Sequence, residues 1–160
     1  MSQCLVVPCL NTVCVAKPRS GKPKSGTKQN RNIVGFGADK KQPLWQCAEG
    51  CGACCKLAKG PAYPAPEEIL NDPADIELYK SMTGPDGWCI HYEKVARKCS
   101  IYPDRPYFCR VEPDVFKSLY NIDKKKFNKE ACSCCREAIK AIYGSQSKEL
   151  DNFNHVIRSS

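Results

Sequence analysis

The chain has 160 residues, with 25 Lys or Arg against 17 Asp or Glu and a formal charge of +8. The surplus is uneven, because the first 41 residues carry eight basic side chains and a single acid, Asp39. A basic chain ordinarily suggests nucleic acid, but here the charge belongs to one end and no stretch nears the roughly 20 apolar residues of a membrane helix, so neither nucleic-acid binding nor a membrane span is expected.

In chain order, the opening combines a mildly apolar run, Leu5 to Ala16, with the polar stretch KPRSGKPKSGTKQNR. Acid-poor, hydroxyl-bearing and unable to bury a core, residues 1–41 read as a disordered leader of the transit-peptide kind, addressed to a chloroplast or alternatively a mitochondrion. A secretory signal fits less well: Met1, Ser2 and Gln3 bring no basic side chain, and Pro8 and Asn11 interrupt the apolar run. GFGA at residues 35–38 has no strand before it and carries no weight as a dinucleotide motif.

Residues 42–160 make one small domain by length. With ten cysteines and nine prolines among them, metal is a plausible part of its stability. The expected fold is a small, mostly α domain with room for one short β-hairpin, organised around a cysteine-ligated metal site. Pro64 and Pro66 lead into a short helix start at EEIL, and Ile76, Leu78, Tyr79 and Met82 mark a helical face in ADIELYKSM. A loop from Thr83 to Gly87 ends that helix. WCIHYE and CSIY can pair as short strands about a turn near Arg97 and Lys98. Asp114 is the expected cap of a helix through Val115, Phe116, Leu119 and Tyr120. ACSCCREAIKAIYG reads as a helix stopped at Gly144, and Leu150, Phe153, Val156 and Ile157 mark a last amphipathic helix.

The cysteines carry the chemistry. Cys47, Cys51, Cys54 and Cys55 fall within nine residues, spaced C-x3-C-x2-C-C, followed by Cys89, Cys99 and Cys109 and then by Cys132, Cys134 and Cys135. Thiols at this density are usually ligands or redox groups, since exposed free thiols oxidise and cross-link. Cys51 and Cys54 can present two sulfurs to one metal, with Gly50 and Gly52 letting the backbone turn tightly. Adjacent Cys54 and Cys55 do not easily serve one tetrahedral ion, because consecutive side chains diverge; one of them would serve a second metal, a cluster edge or a redox partner. From the last group at least one ligand is expected, with Cys134 or Cys135 facing inward; the position assigned is Cys134. A redox pair there is the alternative. Disulfides are the competing account for the first group.

GCGACC, WCIHYE and RKCSIYPDRPYFCR together resemble the cysteine-cluster family named CxxCxxCC, a zinc- or iron-chelating domain, over roughly residues 45 to 135. The resemblance implies metal chelation by Cys47, Cys51, Cys54, Cys55, Cys89, Cys99 and Cys109. The matching positions also include Ile101, Tyr102, Arg105, Pro106 and Arg110. The first interval is three residues where the family has two, so Cys47 matches the pattern less closely than Cys51, Cys54 and Cys55. Bacterial flagellin lysine methylases look like larger, distant relatives, although membership implies no shared reaction.

Arg105 and Arg110 flank Cys109 as candidate cofactor-binding residues, because cations lower thiol pKa and offset a sulfur-rich anionic site. Tyr102 and Tyr107 read as packing residues, and His91 shares a strand face with Cys89 but reads as exposed. Lys124, Lys125 and Lys126 read as a solvated helix end. A sulfur-only ligand set suits either zinc or an iron-sulfur cluster. The leading expectation is an organellar chelating protein, acting as an accessory, assembly or redox factor with an organellar protein partner. The alternatives are a metal-dependent enzyme such as a protein lysine methylase, a structural zinc interaction module, or a disulfide-rich secreted domain.

Overall fold

The computed structural model describes residues 42–159 and, within the leader, the backbone of two short strands, β1 (Cys4–Leu5) and β2 (Val13–Cys14), paired antiparallel. The transit-peptide reading of residues 1–41 otherwise lies outside the described residues.

Helices dominate, as the periodicity requires. The EEIL segment closes only a 3-10 turn, Pro66–Glu68, where the Glu68 carboxylate accepts from the Ala65 N–H at 3.0 Å. Helix α1 (Pro73–Met82) starts where Asp72 accepts from the Ala74 N–H at 2.9 Å and Pro73 takes the first helical position, whose N–H would be unpaired anyway. Tyr79 and Met82 are buried, but Leu78 is 43% exposed, so the apolar face is narrower than the sequence pattern implies.

The hairpin forms with a shorter register than expected. Strand β3 (Tyr92–Glu93) pairs with β4 (Lys98–Cys99), Tyr92 opposite Cys99 and Glu93 opposite Lys98. Trp88 and Cys89 stay outside it and make single bridges to Lys56 and Thr83 instead. Arg97 closes the turn at φ 53°.

Helix α2 (Pro113–Tyr120) corrects the expected cap. Glu112 occupies the cap position without a side-chain bond, Pro113 is first in the helix, and Asp114 lies in the first turn, where its charge faces the positive end of the dipole. Asn121, left-handed at φ 55°, ends it. Helix α3 (Lys124–Tyr143) begins well before the ACSCC group, so the Lys124–Lys126 run forms its first turn. Gly144 stops it as expected, at φ 94°, and α4 (Lys148–Ser159) buries Leu150, Phe153 and Ile157.

Helix α3 divides two apolar clusters. On one side Phe127, Ala131 and Cys134 pack with Phe116 of α2, Tyr79 and Met82 of α1, and Phe108. On the other, Cys132, Cys135, Ala138 and Ile139 pack with Leu150, Phe153 and Ile157 of α4. Phe108, Phe116, Phe153, Leu70, Ile139 and Ile157 are essentially fully buried, each contributing about 1.5–3 kcal/mol of transfer free energy. Trp45 packs against both clusters, and the Leu44 N–H reaches the Ile157 carbonyl at 3.2 Å. The cysteine loop that follows is thereby pinned between α3 and α4. Among the described residues no helix is long and apolar enough to cross a membrane.

Candidate metal centre

The loop carrying the first four cysteines is shaped by two glycines in left-handed conformation, Gly50 at φ 70° and Gly52 at φ 60°. A Cβ on Gly52 would lie 2.6 Å from the Tyr92 ring, which is itself stacked on Trp88 at 4.6 Å, so only glycine fits. The turn then tightens into a 3-10 segment, Ala53–Cys55, as the Cys55 N–H bonds the Gly52 carbonyl at 2.9 Å. From there the Cys55 carbonyl accepts from the Cys89 N–H at 2.7 Å. The hairpin register sets Cys99 opposite Tyr92. Cys109 ends a 3-10 turn, Tyr107–Cys109, anchored by fully buried Phe108.

Five cysteines from four separate segments thus face one small cavity of about 20 Å³: Cys54, Cys55, Cys89, Cys99 and Cys109, with Arg105 on its wall. A second cavity, of about 30 Å³, lies on the other side of Cys54 and is lined by Cys47, Cys51, Cys54 and Cys135. An open cleft of about 560 Å³ reaches Cys47, Cys54, Cys55 and Cys99 from solvent and is flanked by Arg97, Lys98 and Tyr102. Cys54 lines all three. Among the described residues none of the ten cysteines is joined in a disulfide. Among the described residues no three His, Cys, Asp or Glu side chains stand close enough to hold an ion as they are, so the thiols are grouped without being drawn onto one point.

Burial and mutual repulsion hold Cys47, Cys51, Cys55, Cys89 and Cys109 protonated. Burial first, then Cys54, pushes Cys109 up to about 12, and burial likewise takes Cys51 to about 12 against a bond from the Ala53 N–H. Cys55 is raised furthest, chiefly by its hydrogen bond to Cys54 and then by burial. That bond corrects the expectation that adjacent side chains diverge: within the 3-10 turn the two sulfurs meet. Cys89 is raised mainly by burial, opposed by the His91 N–H 3.4 Å from its sulfur; Cys47, an exposed residue that nonetheless lines the second cavity, is raised by the burial of its thiol there and by Cys54, opposed by the Tyr102 hydroxyl.

A divalent ion reverses this balance, since thiolates are its ligands and binding expels their protons. The donors fit zinc or iron: they are soft sulfurs, several already accept hydrogen bonds, and a 20 Å³ space is about the size of one water-sized sphere.

The flanking residues divide. Arg105 stands at the cavity and lowers the cost of charge on Cys109 and Cys47; its guanidinium stacks 3.8 Å over the Tyr102 ring while Nε donates to the Tyr102 carbonyl. Arg110 instead donates from Nε to the Arg105 carbonyl at 2.9 Å, bracing that loop rather than lining the cavity. Tyr107 donates to Asp75 at 2.8 Å, away from the sulfurs. His91 brings its backbone to Cys89 but does not line either cavity.

From the last cysteine group, the side chain that lines a cavity is Cys135. Cys134 packs in the cluster with Phe127 and Ala131, and Cys132 lies in the other cluster without lining either of the two cavities. Helical spacing carries part of that signal, because Cys132, Cys135 and Ile139 fall on one face and Phe127, Ala131 and Cys134 on another. Sequence reasoning missed Trp45, whose indole N–H donates to the Cys135 sulfur at 3.3 Å, and the Tyr143 hydroxyl, which donates to the Cys51 carbonyl at 2.6 Å.

Neither a curated protein nor a solved structure matches the chain. Residues 46–136 match a family model whose description is "CxxCxxCC: Putative zinc- or iron-chelating domain".

Proposed function

Since the chain belongs to the CxxCxxCC family, we propose that it chelates zinc or iron through its cysteines and serves an organelle, as an accessory, assembly or redox factor. The observation that carries this is the convergence of Cys54, Cys55, Cys89, Cys99 and Cys109 on one cavity from segments distant in sequence. Cys55, Cys89, Cys99 and Cys109 would hold the metal there. Arg105 would offset part of the thiolate charge, and Met82, Leu57 and Ile101 keep the sulfurs dry. A zinc ion would supply cross-linking energy on the order of 10 kcal/mol, whereas an iron-sulfur centre would supply electron transfer.

One feature favours iron: the cleft of about 560 Å³ gives the Cys54–Cys55 pair an opening toward solvent wide enough for a cluster or a docking partner. The small cavity supports the second reading, a structural zinc module. Protein purified without oxygen separates them. An iron-sulfur centre gives brown protein with acid-labile sulfide that bleaches on reduction, while colourless protein with stoichiometric zinc and no sulfide establishes the zinc module. Protein that holds neither metal overturns chelation.

The organellar role rests on the basic, acid-poor character of residues 1–41. A fluorescent fusion of that segment is expected in chloroplasts or, as the alternative, mitochondria; uniform cytosolic signal overturns it.

A further inference from the structure

Eight cysteines surround the two cavities, five on the first and four on the second, with Cys54 common to both. Of the two cavities, Cys55, Cys89, Cys99 and Cys109 line the first and not the second, Cys55 and Cys99 also reaching the open cleft. Cys47, Cys51 and Cys135 face the second only, and Cys54 stands in the wall between them. Four thiolates complete a tetrahedral structural site. Of the neighbouring pair, Cys55 lines the first cavity and not the second, while Cys54 lines both, so Cys54 can complete the second set.

The second set has its own supporting shell. The Trp45 indole N–H donates to Cys135 at 3.3 Å, the Tyr102 hydroxyl bonds Cys47, and the Tyr143 hydroxyl fixes the Cys51 carbonyl at 2.6 Å. Ala48, Ala53, Ile139 and Phe153 make the remaining wall apolar. Donors aimed at sulfur from aromatic side chains, here Trp45 and Tyr102, are what a metal-bound thiolate requires of its surroundings. Cys135 and Tyr143 both lie on α3, so this set ties the cysteine loop to the helical half of the domain.

We infer that the chain holds a second thiophilic metal ion, bound by Cys47, Cys51, Cys54 and Cys135, beside the ion at Cys55, Cys89, Cys99 and Cys109. The inference deepens the proposed chelating function and rests on it.

The test is an anaerobic titration of the metal-free full chain with Co²⁺, whose thiolate complexes are coloured, with far-UV circular dichroism as the check on folding. The wild-type chain is expected to take up two equivalents. Cys135→Ser and Cys47→Ser should each lose one equivalent and keep the other; Cys47 is exposed, so its variant serves if Cys135→Ser does not fold. Cys109→Ser should lose the complementary equivalent, and Cys134→Ser should lose none. Trp45→Phe should weaken one equivalent about 10–100-fold and leave the other unchanged. A wild-type chain saturating at one equivalent that Cys109→Ser abolishes and Cys135→Ser leaves intact would overturn the second site while sparing the chelating function. No cobalt uptake by the folded chain would remove both.

Discussion

Gly52 is where a single backbone angle decides whether the centre can form. Its left-handed φ of 60° and the Tyr92 ring 2.6 Å from the would-be Cβ make Gly52→Ala doubly unfavourable, by left-handed strain of order 1–3 kcal/mol and by displacement of a ring held against Trp88. Gly50 has a similar angle but no atom within 4 Å of its would-be Cβ, so Gly50→Ala should cost only the strain. Thermal melts should rank Gly52→Ala below Gly50→Ala, with metal content falling in the same order; equal melting temperatures would refute the role given to Tyr92. The thiols make a second prediction at this scale. Folding raises Cys51 and Cys109 from an ordinary 9.0 to about 12, so above pH 9 the unfolded chain ionises them while the metal-free fold cannot. Stability present below pH 9 should therefore drain away as pH rises toward 12. Urea midpoints of the metal-free chain should fall across that window, and fall less in Cys51→Ser/Cys109→Ser; parallel profiles would contradict the burial argument.

Among the elements, α3 is the one whose local sequence works against it. Lys124, Lys125 and Lys126 crowd the positive end of the helix dipole, the first turn holds no acid, and Asp123 at the cap position makes no capping bond because its carboxylate meets Lys117 at 2.8 Å. Lys125→Glu should raise stability by about 0.3–1 kcal/mol without changing metal content, read as an upward shift in melting temperature; no shift, or a fall, would point to a structural use for the lysine. The same helix explains what was legible in the sequence. The stop at Gly144 and the faces of α1 and α4 were readable because caps and 3.6-residue periodicity are local. The start of α3 was hidden by a polar opening, Lys124 to Glu130, with one buried anchor at Phe127. The hairpin was readable as a pair of segments, but its register was not, because Trp88 and Cys89 are drawn away to Lys56 and Thr83, respectively, by tertiary bridges. The choice of Cys135 over Cys134 likewise depends on Trp45, ninety residues distant.

For the whole molecule, metal is expected to join parts that otherwise pack in two clusters. The thiols of the first cavity come from the cysteine loop, the Cys89 segment before the hairpin, the hairpin strand β4 and the Tyr107–Cys109 turn; the second adds α3. Removing the metal with a chelator should lower the melting temperature and expose Trp45, read as a shift of tryptophan fluorescence; an unchanged melt would mean that the clusters alone hold the fold. A chain lacking residues 1–41 should bind metal as the full chain does, because every cysteine of the site lies at or beyond Cys47. Loss of binding on truncation would give the leader a structural part. The most direct measurement of the central claim is X-ray absorption at the metal edge of the full chain purified anaerobically. A first shell of sulfur alone, at about 2.3 Å if the metal is zinc, is the predicted result, and a shell of nitrogen and oxygen in its place would contradict the cysteine-ligated centre.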